Sequence, residues 1–102
     1  MQDFLLAHRD EISELCRKHH VLRLSVFGSA VRDDFDPLHS DVDLRVSFDR
    51  EAIPRYADNF FSLQDALVAM LGRKVDMVSS PTIRNPYLRK EIEQTQVMLY
   101  AA

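Results

Sequence analysis

Apolar and polar side chains alternate without interruption along residues 41–48, Asp-Val-Asp-Leu-Arg-Val-Ser-Phe. Successive side chains of a strand point to opposite faces, so the pattern predicts a strand with one apolar and one polar side. The apolar side carries Val42, Leu44, Val46 and Phe48, and the polar side carries Asp41, Asp43, Arg45 and Ser47. Any fold of this chain must therefore bury one side of the strand and leave two aspartates next to each other on the other side.

The remaining periodicities predict a chain in which helices and strands are mixed. Apolar residues spaced by three and four indicate helices, and alternation indicates strands. We predict helix 3–19, strand 21–27, a helical turn at 29–32, strand 41–48, helix 55–71, strand 74–78, helix 85–94 and an edge strand at 97–100. This order predicts the α+β class: a small mixed β-sheet of three to four strands with helices packed on one face, in a single domain over residues 1–102.

Two of these elements have a predicted inward face. In the first helix it is formed by Leu5, Ile12, Leu15 and Cys16. In the first strand it is formed by Leu22, Leu24 and Val26. The ends of two helices are also marked, since Gly72 suits a helix end and Asn85 followed by Pro86 suits a helix start.

Charge and cysteine content exclude several classes of protein. The formal net charge of -3 argues against general nucleic-acid binding, which needs clustered Lys and Arg to neutralise phosphates. The single cysteine, Cys16, cannot form an internal disulfide, and this fits a reducing compartment.

No apolar run reaches membrane-spanning length, and the N-terminus lacks the basic region of a signal peptide. We expect a cytoplasmic protein without membrane contact, and the apolar tail with Tyr100 leaves a homo-oligomer open.

Three aspartates are the candidate catalytic and metal-binding residues. Asp41 and Asp43 repel each other unless a cation lies between them, and hard divalent cations such as Mg²⁺ favour carboxylate ligands. An isolated Asp-x-Asp is often only the solvated side of a strand. Asp76 alternates with Val75 and Met77, so it would join the pair if strand 74–78 lies alongside in register. Two metal ions held in this way suit in-line nucleotidyl transfer, with Asp76 orienting or deprotonating the acceptor hydroxyl.

The turn after the first strand is a candidate phosphate site. Gly28 lets the backbone approach a ligand closely, and Ser29 offers a hydroxyl and an N–H group near the start of a helical turn. A Gly-Ser pair by itself is more often a plain turn. Its place beside the carboxylates makes it a predicted cradle for the β- and γ-phosphates of a nucleotide.

Four segments together resemble the minimal nucleotidyltransferases of the DNA polymerase beta superfamily. They are Phe-Gly-Ser-Ala-Val-Arg at 27–32, Ser-Asp-Val-Asp-Leu at 40–44, Gly-Arg-Lys-Val-Asp-Met-Val at 72–78 and Asn-Pro-Tyr-Leu at 85–88. The resemblance implies the polymerase beta-like palm fold. It also implies that Arg32 and Ser40 join Gly28 and Ser29 in nucleotide binding. Arg32 could equally pair with neighbouring acids in its loop, and Arg45 could be only a salt-bridge partner of the aspartates.

The resemblance further implies an antitoxin that acts on a helical HEPN-family toxin. Such proteins move AMP from ATP onto a tyrosine hydroxyl of the toxin, with two Mg²⁺ ions, or Mn²⁺ in their place. Two other readings stay open. One is an antitoxin that neutralises by binding alone, with a vestigial site, and the other is nucleotidyl transfer to a small molecule or to RNA.

Overall fold

A computed structural model describes residues 3–31, 36, 40–79 and 84–102 of the chain. Four helices and four strands make up its regular structure: α1 Asp3–Ala7, α2 Arg9–Lys18, β1 Val21–Phe27, β2 Val42–Phe48, α3 Tyr56–Leu71, β3 Val75–Ser79, α4 Pro86–Thr95 and β4 Val97–Ala101. Short 3₁₀ turns occupy Gly28–Ala30 and Arg50–Arg55. The predicted element order is confirmed, including the strand at the C-terminal end.

The sheet is mixed, with the strand order β3-β2-β1-β4. β1 pairs antiparallel with both β2 and β4, whereas β2 and β3 run parallel. β2 and β3 run in the same direction, so the chain between them must cross back along the sheet, and α3 lies in this connection. The α+β class with a mixed sheet of four strands is therefore confirmed.

The main core lies between one face of the sheet and helices α1 to α3. β2 contributes alternate residues to it, as its pattern predicted, because Val42, Leu44 and Val46 are buried while the residues between them are half-buried. The helices contribute Leu5, Ile12, Cys16, Leu63 and Leu67 to the same cluster. The aspartate side of β2 is therefore the face turned away from these three helices.

Helix α4 modifies the prediction that the helices pack on one face. Ile92 is fully buried against Phe27, with Leu88 and Val78 packed around them. Phe27 is the direct partner of Asp43 in the sheet, so its side chain points to the aspartate side. β3 and β4 lie at opposite edges, and α4 connects them on the side that α1 to α3 leave open. Burying Ile92 there contributes about 1.5–3 kcal/mol to holding α4 against this side.

Two local details differ from the sequence prediction. The pairing of β1 with β2 shifts by one residue between Val21 and Arg23, which is a β-bulge at Leu22. As a result Val21 is buried and Leu22 is exposed, although Leu22 was predicted to face the core with Leu24. The predicted first helix is also divided in two, because the backbone at His8 leaves the helical conformation between α1 and α2.

Two helix ends follow the predicted chemistry. The Asn85 side chain accepts hydrogen bonds from the N–H groups of Tyr87 and Leu88, at 2.9 and 3.3 Å, and so caps the start of α4. Gly72 ends α3 with a φ of 65°, in the left-handed region that glycine adopts without strain. Within the described ranges no helix is both long and apolar enough to span a lipid bilayer.

Candidate active site

The parallel pairing of β2 with β3 brings the third aspartate beside the other two. Asp43 and Asp76 are direct partners in this ladder, so their side chains project from the same face. Asp41 lies two residues before Asp43 and projects to the same side. Asp76 is exposed, and the other two aspartates are half-buried. The backbone thus places the three predicted residues next to one another on the side of the sheet away from the main core.

Gly28 closes directly over the carboxylate of Asp43. A Cβ atom added to Gly28 would lie 2.6 Å from Oδ2 of Asp43, closer than any real contact of this kind. Gly28 also has a φ of +73°, which side chains of L-residues rarely allow. Two independent constraints therefore require glycine at this position. The Asp43 carboxylate therefore packs directly against the backbone of the turn that follows β1.

Among the described residues, Lys74 forms an ion pair with Asp41, and sequence reasoning did not single it out as functional. Its Nζ lies 3.6 Å from Oδ2 of Asp41. The N–H of Val42 donates a 3.1 Å hydrogen bond to the carbonyl of Lys74, which sets the two segments in register at this point. The signal in the sequence was the position of Lys74 two residues before Asp76, which places both side chains on one face of an extended segment.

The donor set suits a hard divalent cation, although the side chains are not gathered around a common point. Among the residues that the structure describes, no three His, Cys, Asp or Glu side chains already form a group that could hold a metal ion. The ammonium of Lys74 acts as a stand-in cation on Asp41, and the Asp43 carboxylate lies against the glycine of the neighbouring turn. Three carboxylates on neighbouring positions fit Mg²⁺ chemistry, because rotation about their χ angles can bring the oxygens together.

The structure describes two of the other three residues that were predicted to bind the nucleotide. Ser29 is half-buried within the 3₁₀ turn that follows β1, next to Gly28. Ser40 immediately precedes Asp41, and its hydroxyl accepts a 2.9 Å hydrogen bond from the N–H of Asp36. The N–H of Ser40 donates in turn to the carbonyl of Asp36 at 2.8 Å, so two hydrogen bonds hold Ser40 directly before Asp41. Arg32 lies outside the described residues, and its predicted phosphate contact stays a prediction.

A polar pocket lies further along the same face of the sheet. It is lined by Arg23, Ser25, Arg45, Ser47, Gln96 and Met98. Ser25 and Arg45 are direct partners across β1 and β2, one same-face pair beyond Phe27 and Asp43. The aspartate side therefore changes from acidic to basic along β2. The alternation of Arg23 and Ser25 with buried Leu24 and Val26 was the available signal for this pocket.

A family comparison agrees with this geometry. Residues 9–97 match the model of the nucleotidyltransferase domain family. A candidate protein adenylyltransferase of Methanocaldococcus jannaschii is 37% identical over 94 residues, which cover 92% of this chain and 89% of the relative. The protein adenylyltransferase MntA of Thermococcus cleftensis is 35% identical over 85 residues, covering 83% and 79% of the two chains.

Solved structures give the same fold. A structure described as a candidate minimal nucleotidyltransferase superposes with a TM-score of 0.76 at 33% identity, covering 94% of this chain and 95% of the other. A second, described as a tri-AMPylated HEPN toxin of Shewanella oneidensis in complex with its MNT antitoxin, matches with a TM-score of 0.64. Its identity is 18%, over 96% of this chain and 73% of the other, so this likeness shows the fold alone.

The family match and the similarity to protein adenylyltransferases define an enzyme class in which a nucleoside monophosphate is transferred. The chain belongs to the nucleotidyltransferase domain family and is a nucleotidyltransferase.

Proposed function

We propose that this chain transfers AMP from ATP to a hydroxyl group of a partner protein, a tyrosine of a HEPN-family toxin, and thereby acts as its antitoxin. The observation that carries the proposal is the close approach of Gly28 to Asp43, next to the Asp43–Asp76 pair. Nucleotidyl transfer needs a turn that can bind phosphates and a group of carboxylates that can bind metal, and the contact of Gly28 with Asp43 supports the view that both are present at one point.

The reaction forms one bond and breaks one bond at the α-phosphorus of ATP. The acceptor oxygen attacks this phosphorus, and the bond to the bridging oxygen of the β-phosphate breaks with its electron pair leaving on pyrophosphate. The proton of the acceptor hydroxyl passes to Asp76 or through it to water. Bound divalent cations, Mg²⁺ or Mn²⁺, would neutralise charge on the pyrophosphate and lower the pKa of the acceptor hydroxyl.

The chain's own residues have separate tasks in this scheme. Asp41 and Asp43 would hold the cations, and Asp76 would add a ligand and orient the acceptor hydroxyl. Gly28 and Ser29 present backbone N–H groups and a hydroxyl to the terminal phosphates. Ser40 helps to position Asp41, because its two hydrogen bonds with Asp36 hold the backbone directly before this aspartate.

The choice of nucleotide and partner rests on the relatives. Relatives that cover most of this chain are named protein adenylyltransferases, which supports ATP as the donor and a protein as the acceptor. A structural neighbour is described as an MNT antitoxin in complex with an AMPylated HEPN toxin, which supports a helical toxin as the partner. We place the reaction in the cytoplasm, where ATP is abundant and a lone thiol such as Cys16 stays reduced.

The proposal is tested by incubating the protein with α-labelled ATP, Mg²⁺ and a purified HEPN-family protein, the proposed acceptor. We expect label on the partner with the wild-type chain and none with Asp41→Asn or Asp43→Asn. Asp65→Asn, which removes an exposed carboxylate from α3, is the matched control and should transfer normally. Loss of transfer with full neutralisation of the partner by the same two variants would instead identify an antitoxin that acts by binding alone.

A further inference from the structure

Lys74 shares a small block of the sheet with the three aspartates. Val42 pairs with Val75 and Asp43 with Asp76, so one step earlier Asp41 lies beside Lys74. The block defined by Asp41, Asp43, Lys74 and Asp76 therefore has three acidic positions and one basic position on one face. The 3.6 Å approach of Lys74 Nζ to Asp41 Oδ2 places the positive charge on the carboxylate that begins the predicted metal site.

The contact between these two side chains is easily broken. The Lys74 side chain is 78% exposed and that of Asp41 is 37% exposed. An ammonium is strongly hydrated, and ion pairs in such surroundings add little to folding stability. The pair is therefore poorly explained as a stabiliser of the fold. A weak, exposed ion pair of this kind can instead form and break while the protein functions.

We propose that Lys74 is an internal counter-ion, which neutralises Asp41 until a divalent cation replaces its ammonium. The inference rests on the proposed metal-dependent function of the site. A cation that binds Asp41 would lie within a few ångströms of Lys74 Nζ, and the repulsion between the two positive charges would drive the ammonium away. The hydrogen bond from Val42 N–H to the Lys74 carbonyl keeps the backbone in place, so only the side chain has to move. Lys74 thereby lowers the affinity of the chain for metal in the absence of nucleotide.

The direction of the effect separates this role from a purely structural one. If Lys74 is a counter-ion, removing its charge removes both the competition for Asp41 and the repulsion of the incoming cation, and metal binds more tightly. If Lys74 merely orients Asp41, removing it loosens the carboxylate and metal binds more weakly. Coulomb interaction across a few ångströms of solvent predicts a gain in affinity of about three- to tenfold, reduced by added salt.

The test measures Mn²⁺ binding to the nucleotide-free chain by electron paramagnetic resonance, which does not depend on activity. Lys74→Met should tighten Mn²⁺ binding, whereas Lys74→Arg, which keeps the charge, should stay within about twofold of wild type. Lys18→Met removes an exposed positive charge from α2 and serves as the matched control. The gain for Lys74→Met should shrink at high salt, because screening weakens the repulsion.

The outcomes are distinguishable. Equal or weaker Mn²⁺ binding by Lys74→Met than by wild type would overturn the counter-ion role while leaving the proposed transfer reaction intact. Equal tightening by Lys18→Met would assign the effect to net charge and also overturn it. Failure of both the wild-type chain and Lys74→Met to bind Mn²⁺ would overturn this inference, whereas the transfer reaction, in which the metal can enter with ATP, is tested separately by the labelling assay. Thermal unfolding of each variant checks that the fold is kept, as the exposure of Lys74 leads us to expect.

Discussion

Gly28 and Asp43 meet at the end of the β1–β2 pair, where a side chain on Gly28 would overlap Oδ2 of Asp43. This contact ties the turn predicted to hold phosphates to the carboxylate predicted to hold metal. A change at either residue is therefore felt at both.

Substituting Gly28 with alanine should abolish nucleotidyl transfer. The added Cβ would lie only 2.6 Å from Oδ2 of Asp43 and would push the carboxylate aside. The positive φ adds a strain of about 1–2 kcal/mol. Gly72→Ala is a matched control, because its φ of +65° imposes the same kind of strain with nothing within 4 Å of the new Cβ. We expect Gly72→Ala to lose about 1–2 kcal/mol of unfolding free energy and to keep its transfer activity. Chemical denaturation and a transfer assay on both variants measure the two effects, and equal activity losses would refute the role of the Gly28–Asp43 contact.

Asp76→Asn tests the residue that joins the site only through strand register. Asparagine keeps the shape of the side chain and removes its charge and basicity, so transfer should fall by about 10²–10⁴-fold. Because Asp76 is exposed, the free energy of unfolding should change by no more than about 0.5 kcal/mol. Single-turnover transfer with labelled ATP gives the rate. A rate within a few fold of wild type would show that the Asp41–Asp43 pair acts without Asp76.

Asn85→Ala should destabilise the protein through α4. The substitution removes the hydrogen bonds from the N–H groups of Tyr87 and Leu88, at a cost of about 1 kcal/mol. Gln94→Ala, at an exposed position near the other end of the same helix, should change stability by only a few tenths of that. The midpoints of thermal unfolding compare the two variants, and a smaller effect at Asn85 than at Gln94 would contradict the cap.

Cys16 should resist thiol reagents in the folded protein. Burial raises the pKa of its thiol from 9.0 to about 12, with a smaller opposing effect of Arg17. Because the thiolate is the reactive form, labelling by an aromatic disulfide at neutral pH should require unfolding. The raised pKa also means that stability from the neutral thiol is fully present below pH 9 and is lost as the pH rises toward 12. Cys16→Ser, which lacks a thiol, should not show this part of the alkaline loss, and rapid labelling of the native protein would contradict the prediction.

Local patterns were enough to predict most of the elements and part of the site. The alternation in β2 fixed which residues face the core, and it placed Asp41 next to Asp43 before any partner strand was known. The predicted helix end at Gly72 and the predicted helix start at Asn85 are also confirmed. Such positions can be predicted because capping depends on the conformation of a few adjacent residues.

Other features could not be predicted because they depend on which segments pair and in what register. The bulge at Leu22 turns its side chain away from the core, and the alternation of apolar and polar residues in β1 does not predict this bulge. The position of α4 on the aspartate side follows from the connection between two opposite sheet edges. The contact of Lys74 with Asp41 needs the parallel register of two segments more than thirty residues apart.

The amino-acid sequence by itself determined the half-buried strand, the pair of aspartates on its open side and the glycine turn before it, because these follow from local backbone geometry. Only the tertiary structure decided that Asp76 and Lys74 complete the block and that Gly28 closes over Asp43. The physical reason is that strand register is selected by the burial of whole apolar faces, and a shift of one residue would turn Asp76 to the other side.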